Sequence, residues 1–413
     1  MAVFSLPLKP QAAFLQTPRG LLLRLSAGHF LVDGYAGFIY PILPLLAERD
    51  GFGLPTAGLL LMLSSISSSV LQPLYGLFSD RWPRLNWMLI GVVMAAGWIS
   101  LLGFAQGVYA LAVVMFFAYM GVGLFHPSAT RTAHALFERR HNLVMSLFLS
   151  AGTVGFALGP LTASWLVKNS GLSATLWLGL PALLVLPGLM QLKLQPGQAQ
   201  PVQDFSSDSE ESLAKAAGLH GVQKGAETRW LALMLAHSIS RAIVLVAMPA
   251  FLPFLWRQQG YDITTVGLVI GLSAGVSGVF GMLSGWLADR WGERRVILCS
   301  LVPALGLLPL MLCTTGAVTF TVFGLMYGLV ASSVGVTMAS TLSGIRSKAG
   351  WVASLIGGFS FGVAGLLMPA FGSLADRIGI QNAFLGLLLP LGLSILLPLL
   401  AKKPTANAAA CPV

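Results

Sequence analysis

Apolar runs of about 20 residues, separated by short polar turns, recur from one end of this chain to the other. A helix of that length crosses a hydrocarbon core roughly 30 Å thick. The runs are rich in Gly and Pro and lack the apolar/polar alternation of an outer-membrane barrel. Only 9% of the 413 residues are charged and 56% are hydrophobic, whereas a soluble domain carries about 25% charged residues. The expected fold class is all-α, integral to a membrane. The first run, beginning near Leu21, is too long for a cleavable signal, contains polar residues and has no small-residue cleavage site, so it reads as the first span.

Charged, Gly and Pro turns divide the chain into twelve spans, at 21–47, 56–79, 86–105, 107–136, 141–167, 173–192, 229–256, 263–288, 295–314, 316–345, 351–375 and 381–401. With the N-terminus on the cytoplasmic side, 19 of the 24 Lys and Arg fall in cytoplasmic segments or the adjoining helix ends. This asymmetry places both termini in the cytoplasm of a cell (inner) membrane. It also accounts for the net charge of +10 without a nucleic-acid partner. Residues 193–228, polar and carrying an acidic knot at Asp204 to Glu211, read as a cytoplasmic linker. It joins an N-terminal six-helix bundle (1–192) to a C-terminal one with a short tail (229–413). Cys299, Cys313 and Cys411 have no metal-ligand spacing, and neither a metal site nor a cofactor is expected.

The two halves repeat. "GLFSDRW" at Gly76 to Trp82 recurs as "GWLADRW" at Gly285 to Trp291, 209 residues later. The same offset carries Pro44 onto Pro253, Gly58 onto Gly267, Ser64 onto Ser273 and Pro160 onto Pro369. One register held from the first span to the fifth marks a duplication. Six helices repeated in the same orientation describe a transporter whose substrate site lies near the midplane between the halves.

The second copy continues as "GWLADRWGERR", and in this the chain resembles the major facilitator superfamily, whose signature lies between spans two and three and again between eight and nine. The first copy departs from it, with Pro83 where Gly is usual. Within the superfamily the first half is similar to the fosmidomycin-resistance family of bacterial efflux proteins. The residues that carry this are "GHFLVDG", "LQPLYGLFSDRWP", "GVGLFHPSATR" and "SLFLSAGTVGFALGPL", which lie within residues 28–161. In that family "FHP" is commonly followed by Glu; here Ser128 follows. The resemblance implies the two-bundle major facilitator fold, with spans one, four, seven and ten lining a central cavity. Gly76, Asp80, Arg81, Gly285, Asp289 and Arg290 then read as gate residues at the cytoplasmic mouth. Gly155, Gly159 and Pro160 resemble the Gly-Pro motif of antiporting exporters and otherwise serve close helix packing.

Of 14 carboxylates, only Asp33 lies well inside a span. Insertion scales charge about 2.5–3.5 kcal/mol for such a residue, so it should face the bundle interior and serve function. His29 stands one turn before it at i, i+4, and His126 and Arg131 on the fourth span run past the same depth. On span seven, His237 and Arg241 repeat the i, i+4 spacing. Arg suits bidentate recognition of carboxylate or phosphate. The expectation is therefore that Asp33, with His29 as relay, carries or gates a coupling proton, and that Arg241, His126, Arg131 and His237 bind an anionic substrate.

These readings describe a monomeric, proton-coupled secondary transporter working by alternating access, which exports a small organic anion or amphiphilic drug. The alternatives are an importer or exchanger of a metabolite anion and a non-transporting membrane sensor. With Asp33 beside Arg241, simple electrostatics favours co-transport of anion and proton, whereas the resemblance implies antiport. An enzyme is not expected, because no nucleophile and base share a depth.

Overall fold

The structure, a computed structural model, describes residues 17–136, 141–191, 220–345 and 349–404. Residues 193–219 of the expected 193–228 linker, Cys411 and both chain ends lie outside the described residues, whereas 220–228 already belong to the helix His220–Gln258. Among the described residues, all regular structure is helical, in twelve successive units. They are α1 Pro18–Asp50, α2 Leu54–Arg81, α3 Trp87–Ser100, α4 Gly107–Ala133, α5 Val144–Ser170, α6 Leu172–Met190, α7 Gly225–Gln258, α8 Ile263–Trp291, α9 Glu293–Cys313, α10 Gly316–Ser343, α11 Val352–Ile378 and α12 Ile380–Leu400. Eleven are long and apolar enough to cross a membrane; α3 is a shorter apolar helix. Large apolar side chains stand almost free on the outside, among them Leu184 at 85% and Leu389 at 71% exposure. Such a surface is stable only against lipid, and the protein is a multi-pass membrane protein.

Local chemistry sets the ends. Thr17 caps α1, its Oγ1 accepting from the Gly20 amide at 3.2 Å, with Pro18 as the first helical residue. Gly51 at φ 69° ends α1, and Gly260 at φ 85° follows α7. These two glycines are again 209 residues apart, as are Gly107 and Gly316 at the starts of α4 and α10. The duplication thus extends to the backbone positions where a Cβ would be strained. The third span stops at Ser100, short of the expected 105, because the Gly103 amide donates to Thr175 Oγ1 at 2.9 Å and Arg49 donates to the Gly103 carbonyl at 2.8 Å. These side-chain partners hold the turn that a longer helix would have to straighten.

Within the first half, α1 and α5 meet backbone to backbone. A Cβ on Gly155 would collide with the Phe30 carbonyl, and one on Gly159 with that of Gly34. Pro160 packs opposite Gly37. Between the halves, α5 runs along α8 and α2 along α11. One turn of α2 (Ile66–Val70) and one of α11 (Leu355–Phe359) widen to π-helix. Gly362 of α11 rests against Val70. Such bulges free backbone groups and re-aim the following turns.

Among the described residues, the ion pairs that join the halves lie at one face. There Arg257 pairs with Glu48 at 3.2 Å and Lys168 with Asp262 at 2.9 Å, both across the two bundles. Along α8, Gly267 faces Ser164, Gly271 faces Ala157 and Gly278 faces Thr153, whereas a Cβ on Gly285, two turns further on the same side, would have nothing within 4 Å. On the α5–α8 side the gap between the bundles therefore widens toward the face that carries Asp80 and Asp289, while on the α2–α11 side a Cβ on Gly358 would still meet Gln72.

Candidate functional site

Asp33 is bracketed by two imidazoles. His29 Nε2 lies 3.2 Å from Asp33 Oδ2, and His126 Nε2 lies 3.4 Å from Asp33 Oδ1. Helical spacing brings the first pair together on α1, and the approach of α4 supplies the second. The His29 ring is fixed from α5: it stacks on Phe148 at 4.2 Å between centroids, and its Nδ1 lies 2.8 Å from the Phe148 carbonyl. A carbonyl only accepts, so Nδ1 carries a hydrogen and donates. The neutral ring then turns an Nε2 lone pair toward a carboxylate oxygen, an arrangement that is attractive only with a cation between them. A proton is the simplest one.

The side chain of His29 is 7% exposed, that of Asp33 22% and that of His126 28%, so the cluster opens on its His126 side. Gly152 of α5 makes the room. A Cβ there would lie 2.6 Å from His29 Nε2 and would also strike Asp33. The sequence shows Gly152 at the head of the small-residue motif, where it reads as helix packing; its place against the carboxylate is visible only in the fold.

Arg131 does not join this group. It points to the end of α2, paired with Asp80, and its Nη2 donates to Ser79 Oγ at 3.3 Å. More than a turn beyond His126, its long side chain reaches the helix end and the solvent there. Of the four cations expected around Asp33, the two histidines touch it.

His237 and Arg241 lie within the second half, both fully buried. His237 Nδ1 donates to the Ser394 carbonyl of α12 at 2.6 Å, which leaves Nε2 to accept from Thr337 Oγ1 of α10 at 3.0 Å. Arg241 Nη1 donates to Thr337 Oγ1 at 2.8 Å and to the Ser333 carbonyl at 3.3 Å. Its Nε and Nη2 have no acceptor, and no carboxylate pairs with it among the described residues. The adjacency of Asp33 and Arg241 assumed from depth is thus not an ionic contact; the two belong to different bundles.

At the open face, Arg81, Asp289 and Arg290 are exposed, and the Arg290 guanidinium lies over the Trp286 ring at 3.7 Å. A Cβ on Gly76 would lie 4.0 Å from Pro127 of α4, and Gly285 faces open space.

The family model described as the Major Facilitator Superfamily matches residues 25–343 and 230–410. The chain belongs to the major facilitator superfamily. As a superfamily member it is a transporter of small molecules, not an enzyme. The fosmidomycin resistance protein of Escherichia coli (strain K12) is 26% identical over 383 residues, covering 89% of each chain. Multidrug resistance protein MdtG of Enterobacter lignolyticus (strain SCF1) is 26% identical over 289 residues, 67% of this chain and 66% of that one. Among solved structures, a bacterial homolog of the human lysosomal transporter Spinster, in an inward-facing and occupied conformation, superposes with a TM-score of 0.77 at 14% identity, covering 98% of this chain and 100% of the other. That likeness concerns the fold alone.

Proposed function

We propose that the protein exports a small organic anion or amphiphilic drug in exchange for protons, by alternating access about the Asp33 cluster. The observation that carries this is the mid-span carboxylate of Asp33, 22% exposed and held between two imidazoles. A proton or the cationic group of an amphiphilic drug can neutralise it, and these two compete for the same oxygens, whereas an organic anion would instead be favoured by the protonated cluster. Competition of that kind is what antiport needs, because either ligand lets the carrier cross and neither crosses with the other. The names of relatives associated with fosmidomycin and multidrug resistance support efflux as the direction.

In this reading Asp33 carries the proton and His29 relays it, with His126 nearest the cleft. The gate is formed by Asp80, Arg81, Asp289 and Arg290 with their glycines Gly76 and Gly285. The open face is the cytoplasmic one, so both termini and the 193–228 linker lie there, between bundles 1–192 and 229–413 of a monomer in the cell inner membrane. Lys and Arg asymmetry supports this orientation.

A second reading, uptake or exchange of a metabolite anion, is favoured by Arg241. Two of its donor nitrogens are unfilled inside the second bundle, and an oxyanion would satisfy both. Its substrate would have to enter a region closed in this conformation, with His237 and Thr337 completing the site.

Reconstitution into proteoliposomes decides between them. Outward pH gradients and inward ones are imposed in turn, and Asp33→Asn is compared with wild type. Export predicts gradient-driven transport opposite to proton flow, lost in Asp33→Asn while substrate-for-substrate exchange persists. Full accumulation by Asp33→Asn would remove Asp33 as the coupling residue, and transport along with the protons would select the second reading.

A further inference from the structure

We propose that His29 Nε2, Asp33 and His126 Nε2 form a three-donor site for one divalent transition-metal ion, of the zinc or cobalt class. The i, i+4 spacing on α1 supplies two of the donors, but the third comes from α4, so the sequence alone does not show the set. The structure brings one ligand atom of each to within 4.8 Å of the others.

A tetrahedral ion with bonds of roughly 2.0–2.1 Å holds its donors about 3.3 Å apart. His29 Nε2 stands 3.2 Å from Oδ2 and His126 Nε2 3.4 Å from Oδ1, so each imidazole lies at that spacing from one carboxylate oxygen, though not from the same one. Sharing one carboxylate oxygen and closing the His29–His126 edge both call for movement of the His126 side chain, the most exposed of the three. Two imidazoles and a carboxylate select borderline ions over magnesium or calcium, which prefer all-oxygen sites.

Two further features suit a metal. His29 donates Nδ1–H to the Phe148 carbonyl at 2.8 Å, the outer contact that fixes the tautomer of metal-binding histidines and leaves Nε2 free to ligate. Gly152 leaves open the space beside His29 Nε2 and Asp33 that a Cβ would fill. The side chains of Asp33 and His126 are 22% and 28% exposed, which leaves a fourth position for water. An ion held there ties α1 to α4 and covers the carboxylate.

The inference goes beyond proton coupling and does not rest on it. Its test reads binding in detergent without any transport step, so either proposal can fail alone. Metal-stripped protein without a polyhistidine tag is titrated with cobalt(II), followed by visible absorption, and then with zinc(II) as competitor. The expected result is one equivalent of cobalt with the strong visible bands of a low-coordinate site, displaced by zinc. His126→Gln and Asp33→Asn should each weaken binding at least about tenfold, and His237→Gln should leave it unchanged. Melting curves establish that each variant is folded. In wild type, zinc should also protect His126 from diethylpyrocarbonate, read by mass spectrometry, which needs no variant. Absence of saturable cobalt binding, equal affinity in His126→Gln and Asp33→Asn, or full modification of His126 under saturating zinc would each overturn the site.

Discussion

Arg241 is the residue whose burial most needs explanation. A guanidinium at 0% exposure with one nitrogen satisfied and two without acceptors pays desolvation without a counter-charge, and buried charges that lack a partner destabilise a fold. Replacing such a group by an apolar side chain of similar volume is commonly neutral or stabilising by about 1–4 kcal/mol. Arg241→Met should therefore melt at or above the wild-type temperature in detergent. If Arg241 holds an anionic substrate, the same variant loses binding of the best anionic ligand; unchanged binding would leave Arg241 without that role. Gly152 makes the opposite case. Gly152→Ala forces a methyl against His29 Nε2 and Asp33, and overpacking typically costs about 1–3 kcal/mol. The variant should melt lower and lose gradient-driven transport, and a normal pH-driven rate would show that the cluster tolerates displacement.

Among elements, the α1–α5 contact is the least forgiving. At Gly155 the atom a Cβ would meet is a backbone carbonyl, that of Phe30, which no rotamer change can move. Gly155→Ala should reduce folded yield by fluorescence-detected gel filtration far more than Gly285→Ala, which meets nothing within 4 Å. The α5–α8 latch behaves differently. Asp262, ahead of α8, is held below the ordinary carboxylate range, chiefly by its bond from Thr264 and then by Lys168. A lowered value means that the contribution of the pair is complete above roughly pH 4 and is lost only as pH falls through the lowered value. Cellular pH changes leave this latch charged. Both partners are about half exposed, at 51% and 41%, so the pair supplies at most about 1 kcal/mol. Asp262→Asn should shift a spin-label distance distribution across α5 and α8 by no more than about fivefold in population, and the difference between variant and wild type should disappear as pH falls through the lowered value.

For the whole molecule, the asymmetry between faces is the main structural fact. Glu48 and Arg257 occupy equivalent positions of the two repeats, 209 residues apart, and meet across the closed face. A two-fold related pair sits close to the axis about which the halves rock, and must part when that face opens. With the native cysteines replaced, Glu48→Cys/Arg257→Cys should cross-link readily, hold the closed face shut and stop transport, with activity restored by reductant. Undiminished transport by the cross-linked protein would mean that this face does not open.

Spans, repeat and superfamily were all readable from the chain, because bilayer thickness imposes run length, the duplication leaves its register in Gly and Pro, and a Gly followed by Asp-Arg-Trp survives in both copies, as "GLFSDRW" and "GWLADRW". The depth of Asp33 was equally plain. Depth is one coordinate, however, and a mid-membrane meeting also requires the rotation of each helix and the identity of its neighbour. Arg131 and His126 lie little more than one turn apart on α4, yet one turns to Asp80 and the other to Asp33. Arg241 shares the depth pattern of Asp33 and belongs to another bundle. Even the metal-ligand set, of which spacing shows only two members, exists only because α5 has a glycine where α1 and α4 converge. Packing between helices sets those rotations, since it depends on the sizes of residues facing each other from distant parts of the chain, and no single span contains that information.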